Sequence, residues 1–164
     1  MRLDELVIDE VDERISRLIA DSGQDLSLYD MMKYHLGWLD DKLRPNKSHP
    51  GKRIRPRLCF LSCAATGSPM ERAISPAAAV ELVHNFSLVH DDIQDRSRYR
   101  RHRRTVWDLW GDAQAINSGD GLLMLAQLSI AEDETTDPVR RVKGLRILNN
   151  ACRLLCEGQY LDLD

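Results

Sequence analysis

Apolar residues recur at intervals of three and four along most of the chain, the spacing that lines one face of an α-helix. Leu3, Leu6, Val7, Val11, Ile15, Leu18 and Ile19 form one such stripe, which predicts a first helix over residues 3–19 with Gly23 as its stop. A second is predicted over 26–43, closed by Pro45, and a third over 54–65, ended by Gly67 and Pro69. Between them, NKSHPGK (46–52) is a turn by composition. Ser75-Pro76 offers a capping hydroxyl followed by proline at a first helical position, so a long helix is predicted from there through at least Asp95. Basic, polar residues 96–104 separate it from a fifth helix beginning near Val106. Asp137-Pro138 repeats the start signal for a sixth carrying Val142, Leu145, Leu148, Leu154 and Leu155. With glycine, proline and β-branched runs scarce, the pattern predicts an all-α chain that forms a single domain over residues 1–164, without repeat or linker. The last pattern reaches GQYLDLD with no stop signal, as if cut within an element.

Composition changes this picture little. Hydrophobic residues make up 43% and charged residues 30%, which is globular rather than disordered, and a net charge of -3 does not call for a polyanionic partner. The acidic N-terminus lacks the apolar core of a signal peptide, and no stretch approaches the roughly 18 apolar residues of a membrane span, so a cytoplasmic protein is expected. The cysteines fall as Cys59/Cys63 and Cys152/Cys156. Their apolar flanks favour buried core thiols over a zinc knuckle or disulfides.

Charge distribution is more informative. Asp91, Asp92 and Asp95 form D-D-x-x-D at the end of a helix that is apolar on most sides (Ala77, Ala78, Val80, Leu82, Val83, Phe86, Val89). Three carboxylates within one turn repel one another unless a cation compensates, and such hard oxygen ligands suit Mg²⁺ shared with phosphate oxygens. Six arginines follow in residues 96–104, where guanidinium forks could bind a phosphorylated ligand. A nucleic-acid role for that run is the weaker alternative. Upstream, Lys52 and Arg55 open the third helix, where free N–H groups also favour anions. His84 precedes Asp91 by two helical turns on one face, roughly 10 Å along the axis. Two anion sites separated by an apolar helix face suggest two diphosphates and a greasy tail.

These residues resemble the trans-isoprenyl diphosphate synthases, the family of farnesyl and geranylgeranyl diphosphate synthases. The resemblance runs from about Asp30 onward through GKRIRP, ELVHNFSLVHDDIQD, RR…T, SGDGLL and EGQYLDL. It implies an all-α prenyl synthase bundle around a central cavity, here incomplete because family members are roughly twice as long; no second DDxxD follows. It implies a Mg²⁺-dependent prenyltransferase in which isopentenyl diphosphate condenses with an allylic diphosphate by ionisation, condensation and elimination. Asp91, Asp92 and Asp95 would bind Mg²⁺ and, with Arg100, the allylic diphosphate. Lys52, Arg55, His84 and Arg101 would hold isopentenyl diphosphate, and Gln159 and Asp162 would line the allylic side. Phe86 and Ser87 would floor the chain-length pocket, the aromatic pointing to short products such as farnesyl or geranylgeranyl diphosphate. Pro50, His102 and Arg104 depart from the family's usual residues. Expected partners are a second copy or a complementary C-terminal half, and the apolar faces around Phe86 and 122–128 should be exposed or covered by another chain. The alternative is a non-catalytic partner subunit of a complete synthase.

Overall fold

The computed structural model describes residues 3–22, 25–46 and 53–163, with side chains from residue 9. Among them are seven helices: α1 (Leu3–Asp21), α2 (Ser27–Leu36), α3 (Ile54–Ala65), α4 (Ile74–Gln94), α5 (Val106–Trp110), α6 (Asp112–Ala131) and α7 (Pro138–Leu163). The segment between α4 and α5 is a hairpin of two-residue strands, β1 (Tyr99–Arg100) and β2 (Arg103–Arg104). The expected all-α class holds. No helix among the described residues is long and apolar enough to cross a membrane.

The core forms around α4 and α6, which run antiparallel: Ser129 Oγ donates to the Ser75 carbonyl at one end, and His90 lies against Ile116 at the other. Small residues let the two backbones approach. Ala77 and Ala78 on α4 and Ala115, Ser118 and Ala126 on α6 are fully buried. Helix α1 packs across this pair through Val11, Ile15 and Leu18, and Arg14 donates to the Ser129 carbonyl. Arg53, buried in a left-handed backbone conformation just before α3, donates to Glu81 on α4 and Asp12 on α1. One guanidinium thus joins three helices.

Several expected boundaries move, each for a local reason. Helix α2 ends at Leu36, seven residues before the predicted 43, because Gly37 adopts φ +90° and its N–H and that of Trp38 close onto the Tyr34 and Lys33 carbonyls. That is the glycine stop of a Schellman-type cap. Asp40 then accepts hydrogen bonds from the Lys42 and Arg44 amides in a turn. Helix α4 begins at Ile74, after a 3-10 turn at Met70–Ala73, and buried Ser75 makes no side-chain cap. The predicted fifth helix is two, broken at Gly111 (φ +84°). At α7, Asp137 Oδ1 accepts from the Arg140 amide as expected of a cap. Gly23 lies outside the described residues.

The cysteine expectation holds only for Cys152, which is buried; Cys59 and Cys63 are half-buried and Cys156 is exposed, all as free thiols. The exposed apolar face is also elsewhere than expected. Phe86, Leu122 and Leu125 are buried because α4 and α6 pack on each other, leaving Met124 and Leu128 of that stretch outward. The larger exposed apolar rows lie on α3 (Ile54, Leu58, Leu61) and α7 (Val142, Ile147, Leu154, Leu161).

Candidate active site

The C-terminal end of α4, the hairpin and the first turn of α3 gather the charged residues. Asp91 and Asp92 sit in the last turn of α4 and Asp95 follows it. Their environments differ. Asp92 is almost fully buried, and Arg100 Nε donates to its Oδ1 at 2.8 Å. Burial pushes the Asp92 carboxyl above its ordinary range, against the lowering effect of that hydrogen bond. Asp91 is half-buried and is also pushed up, first by burial and further by Asp95, against the opposing pull of Arg100. Asp95 is exposed.

Among the described residues, no three His, Cys, Asp or Glu side chains form a ready-made metal cluster. Asp91 and Asp95, one turn apart and mutually repelling, remain open to a cation, while Asp92 is engaged in orienting Arg100. Two carboxylates suit Mg²⁺, which commonly takes its other ligands from water and substrate phosphates.

The hairpin aims the arginines. Arg101 and His102 form its two-residue turn with φ of 52° and 64°, the primed geometry that matches strand twist but disfavours residues with a Cβ. Arg101 is exposed there and makes no ion pair among the described residues. The remaining arginines are tied back. Arg103 donates to the Leu39 carbonyl and lies 4.1 Å over the Tyr34 ring, whose hydroxyl donates to the Arg104 carbonyl. Arg104 pairs with Asp108, and Arg96 with Asp112. Trp107 Nε1 and Thr105 Oγ1 both donate to the Ser97 carbonyl, fixing the loop before the hairpin.

A cavity of about 140 Å³ opens between α2, α4 and this hairpin, walled by His35, Asp92, Arg100, Arg101 and Arg103. A larger cavity, about 630 Å³, lies between α3, α4 and α7. Arg55 and His84 supply its charged and polar groups, and Leu58, Val80, Val83, Leu148 and Leu155 line the rest. His84 is held below its ordinary pKa by burial and by Arg55. A third, about 260 Å³, runs beside Asp91 and is lined by Phe86, His90, Gln94 and Gln159. Ser87 and Leu155 belong to both of the last two, so the two cavities adjoin.

Most of the expected site residues are therefore brought together. Gln159 Nε2 donates to Gln94 Oε1 across α7 and α4, beside Asp91. Phe86 is buried with its ring edge-on to His90 at 4.8 Å, at the wall of the third cavity. Asp162 is exposed and absent from that wall. Lys52 lies outside the described residues. Two residues escape sequence reasoning: Arg53, whose buried pairing with Glu81 is signalled only by a carboxylate inside an apolar helix, and His35, which no local pattern sets apart.

Residues 37–164 match a family model described as polyprenyl synthetase. A (2E,6E)-farnesyl diphosphate synthase of Mycobacterium tuberculosis is 47% identical over 132 residues, 80% of this chain and 36% of that protein. A geranylgeranyl diphosphate synthase of Methanosarcina mazei is 45% identical over 114 residues, 70% of this chain and 35% of that protein. The solved structure of a geranylgeranyl pyrophosphate synthetase from Geoglobus acetivorans matches with a TM-score of 0.82 at 34% identity, covering 99% of this chain and 49% of that one. This chain thus spans about a third of the length of these curated relatives and about half of that solved chain.

Proposed function

Because the chain belongs to the polyprenyl synthetase family and has the helical fold of its solved members, we propose that it forms the diphosphate-binding part of a trans-prenyltransferase. The observation that carries this reading is the junction of charge and grease along the C-terminal half of α4. Asp91, Arg100, Arg101, Arg55 and His84 gather there beside a largely apolar cavity of about 630 Å³. Such a site fits a ligand with a diphosphate head and an isoprenyl tail.

In the proposed reaction the allylic C–O bond breaks heterolytically and its electron pair leaves with the diphosphate. The double bond of isopentenyl diphosphate attacks the resulting cation, and loss of a proton restores an alkene. Arg100, oriented by Asp92, would meet the charge developing on the departing diphosphate. Arg101, Arg55 and His84 would hold isopentenyl diphosphate, together with Lys52, which precedes Arg55 by three residues in sequence. Asp91 and Asp95 would hold Mg²⁺, which when bound supplies Lewis-acid stabilisation of the leaving group. The apolar lining from Leu58 to Leu155 would keep water from the cation. Phe86, buried and edge-on to His90, would limit tail length toward farnesyl or geranylgeranyl products. The exposed apolar rows of α3 and α7 would be covered by the remainder of a synthase or by a second copy.

Binding and turnover measured on one preparation test the proposal. The purified chain is incubated with Mg²⁺, labelled isopentenyl diphosphate and farnesyl diphosphate, and prenyl products are extracted. Saturable isopentenyl diphosphate binding that Arg101→Ala weakens about tenfold or more supports the reading. Labelled product would further show that this chain or its oligomer completes the reaction. A folded sample that binds neither diphosphate contradicts the proposal and favours a non-catalytic subunit.

A further inference from the structure

His35 belongs to none of the motifs, yet it sits on the wall of the 140 Å³ cavity together with Asp92 of α4 and Arg100, Arg101 and Arg103 of the hairpin. It projects from the last turn of α2, two residues before the Gly37 stop, so its position is fixed by a capped helix end. Neither ring nitrogen makes a hydrogen bond among the described residues. The ring is half-buried and its nitrogens are not sealed from solvent, so a ligand in the cavity can become their partner.

The surrounding groups define what that partner can be. Arg100 is paired with Asp92. Arg103 is held by the Leu39 carbonyl and the Tyr34 ring, but no carboxylate neutralises it among the described residues. Arg101 has no carboxylate either. Two nearby carbonyls already accept a hydrogen bond, that of Leu39 from Arg103 and that of Arg104 from Tyr34. The cavity therefore brings an unpartnered imidazole together with Arg101 and Arg103, which no carboxylate pairs among the described residues. Water can serve the imidazole and the exposed Arg101, but it brings no negative charge to pair with Arg101 and Arg103. A multiply charged oxyanion satisfies both.

We infer that His35 is a further anion-binding residue of this pocket, donating an N–H to an oxygen of the diphosphate that Arg101 binds; this rests on the reading of the pocket as a diphosphate site. The neutral ring already carries one N–H donor, so the contact needs no change of protonation. Burial and the flanking arginines hold the free imidazole neutral, its pKa pushed down to about 3. The role is one of binding and positioning at the phosphate end, independent of the tail.

The test is calorimetric titration of inorganic diphosphate, without metal, into the wild-type chain and into His35→Ala, His35→Asn and Arg101→Ala, each checked for folding by circular dichroism. Isopentenyl diphosphate is titrated in parallel to separate head from tail. His35→Ala should weaken both ligands by about five- to twentyfold, as expected for loss of one hydrogen bond to a charged group. His35→Asn, which keeps a donor, should recover much of that loss. If His35→Ala does not fold, the His35 ring signals of the wild type are followed by NMR during diphosphate titration, assigned by their loss in His35→Asn. Ring signals that move to saturation with the ligand uphold the contact, and unmoved signals overturn it. Wild-type affinity in His35→Ala alongside weakened binding in Arg101→Ala would overturn the role of His35 and leave the diphosphate site standing. A folded wild type that binds no diphosphate would overturn both.

Discussion

Asp92 and Asp95 share a motif but not an environment. Asp92 is buried against Arg100, whereas Asp95 is exposed at the helix end. Removing the Asp92 carboxylate strands a guanidinium that is only one-third exposed, although it can still turn toward water. Asp92→Ala should therefore cost about 2 kcal/mol of stability, below the range for a fully buried pair, while Asp95→Ala should stay within about 0.5 kcal/mol. Urea midpoints of the two variants check this difference. His35 makes a pH-dependent contribution of a definite sign. Its folded pKa is depressed to about 3, so between about 6.5 and 3 the unfolded chain binds a proton that the folded chain refuses. Stability should fall as pH drops through that window. His84, also depressed, acts in the same direction. His35→Asn should consequently lose less thermal stability between pH 7 and pH 5 than the wild type. Parallel losses in melting temperature would contradict the placement of a neutral imidazole beside Arg100, Arg101 and Arg103.

At the scale of elements, the close pairing of α4 with α6 depends on missing side chains. A Cβ at Gly119 would lie 2.4 Å from the His90 ring, which is wedged between Phe86 and the Ile116 carbonyl. Overpacking of about 1–3 kcal/mol should outweigh the gain of about 1 kcal/mol from alanine in a helix, so Gly119→Ala should be destabilising by about 1 kcal/mol. A Cβ at Gly121 would meet mainly the end of the flexible Met32 side chain, and Gly121→Ala should be near neutral. Denaturant titration of both variants separates a stiff contact from a yielding one. Element identity was largely legible, because period-3.6 stripes such as Val11, Ile15 and Leu18 coincide with buried faces. Boundaries were less so. Trp38 and Leu39 prolong the apolar pattern of α2 past Gly37, but the backbone has already turned, and α4 starts at Ile74, which puts Ser75 inside the helix rather than at its cap. The hairpin was hidden because Arg101 and His102 are not residues that advertise a primed turn.

For the whole molecule, sequence spacing told which charged groups stand near each other along α4, since Asp91 and Asp95 are one turn apart and His84 two turns earlier. It could not tell that Asp92 turns inward to Arg100, nor that α2 brings His35 to the same pocket, because both depend on packing between elements distant in sequence. The proposed function divides the labour: Asp91 and Asp95 would take a metal and the allylic diphosphate, while Arg101, Arg55 and His84 would form a cationic side that needs no metal. Binding of each proposed substrate by this chain, with and without Mg²⁺, tests that division most directly. The account predicts that isopentenyl diphosphate binds in EDTA and is insensitive to Asp91→Asn, whereas a non-reactive allylic diphosphate analogue binds only with Mg²⁺ and loses about tenfold or more in Asp91→Asn. Allylic binding that ignores both Mg²⁺ and Asp91 would contradict it.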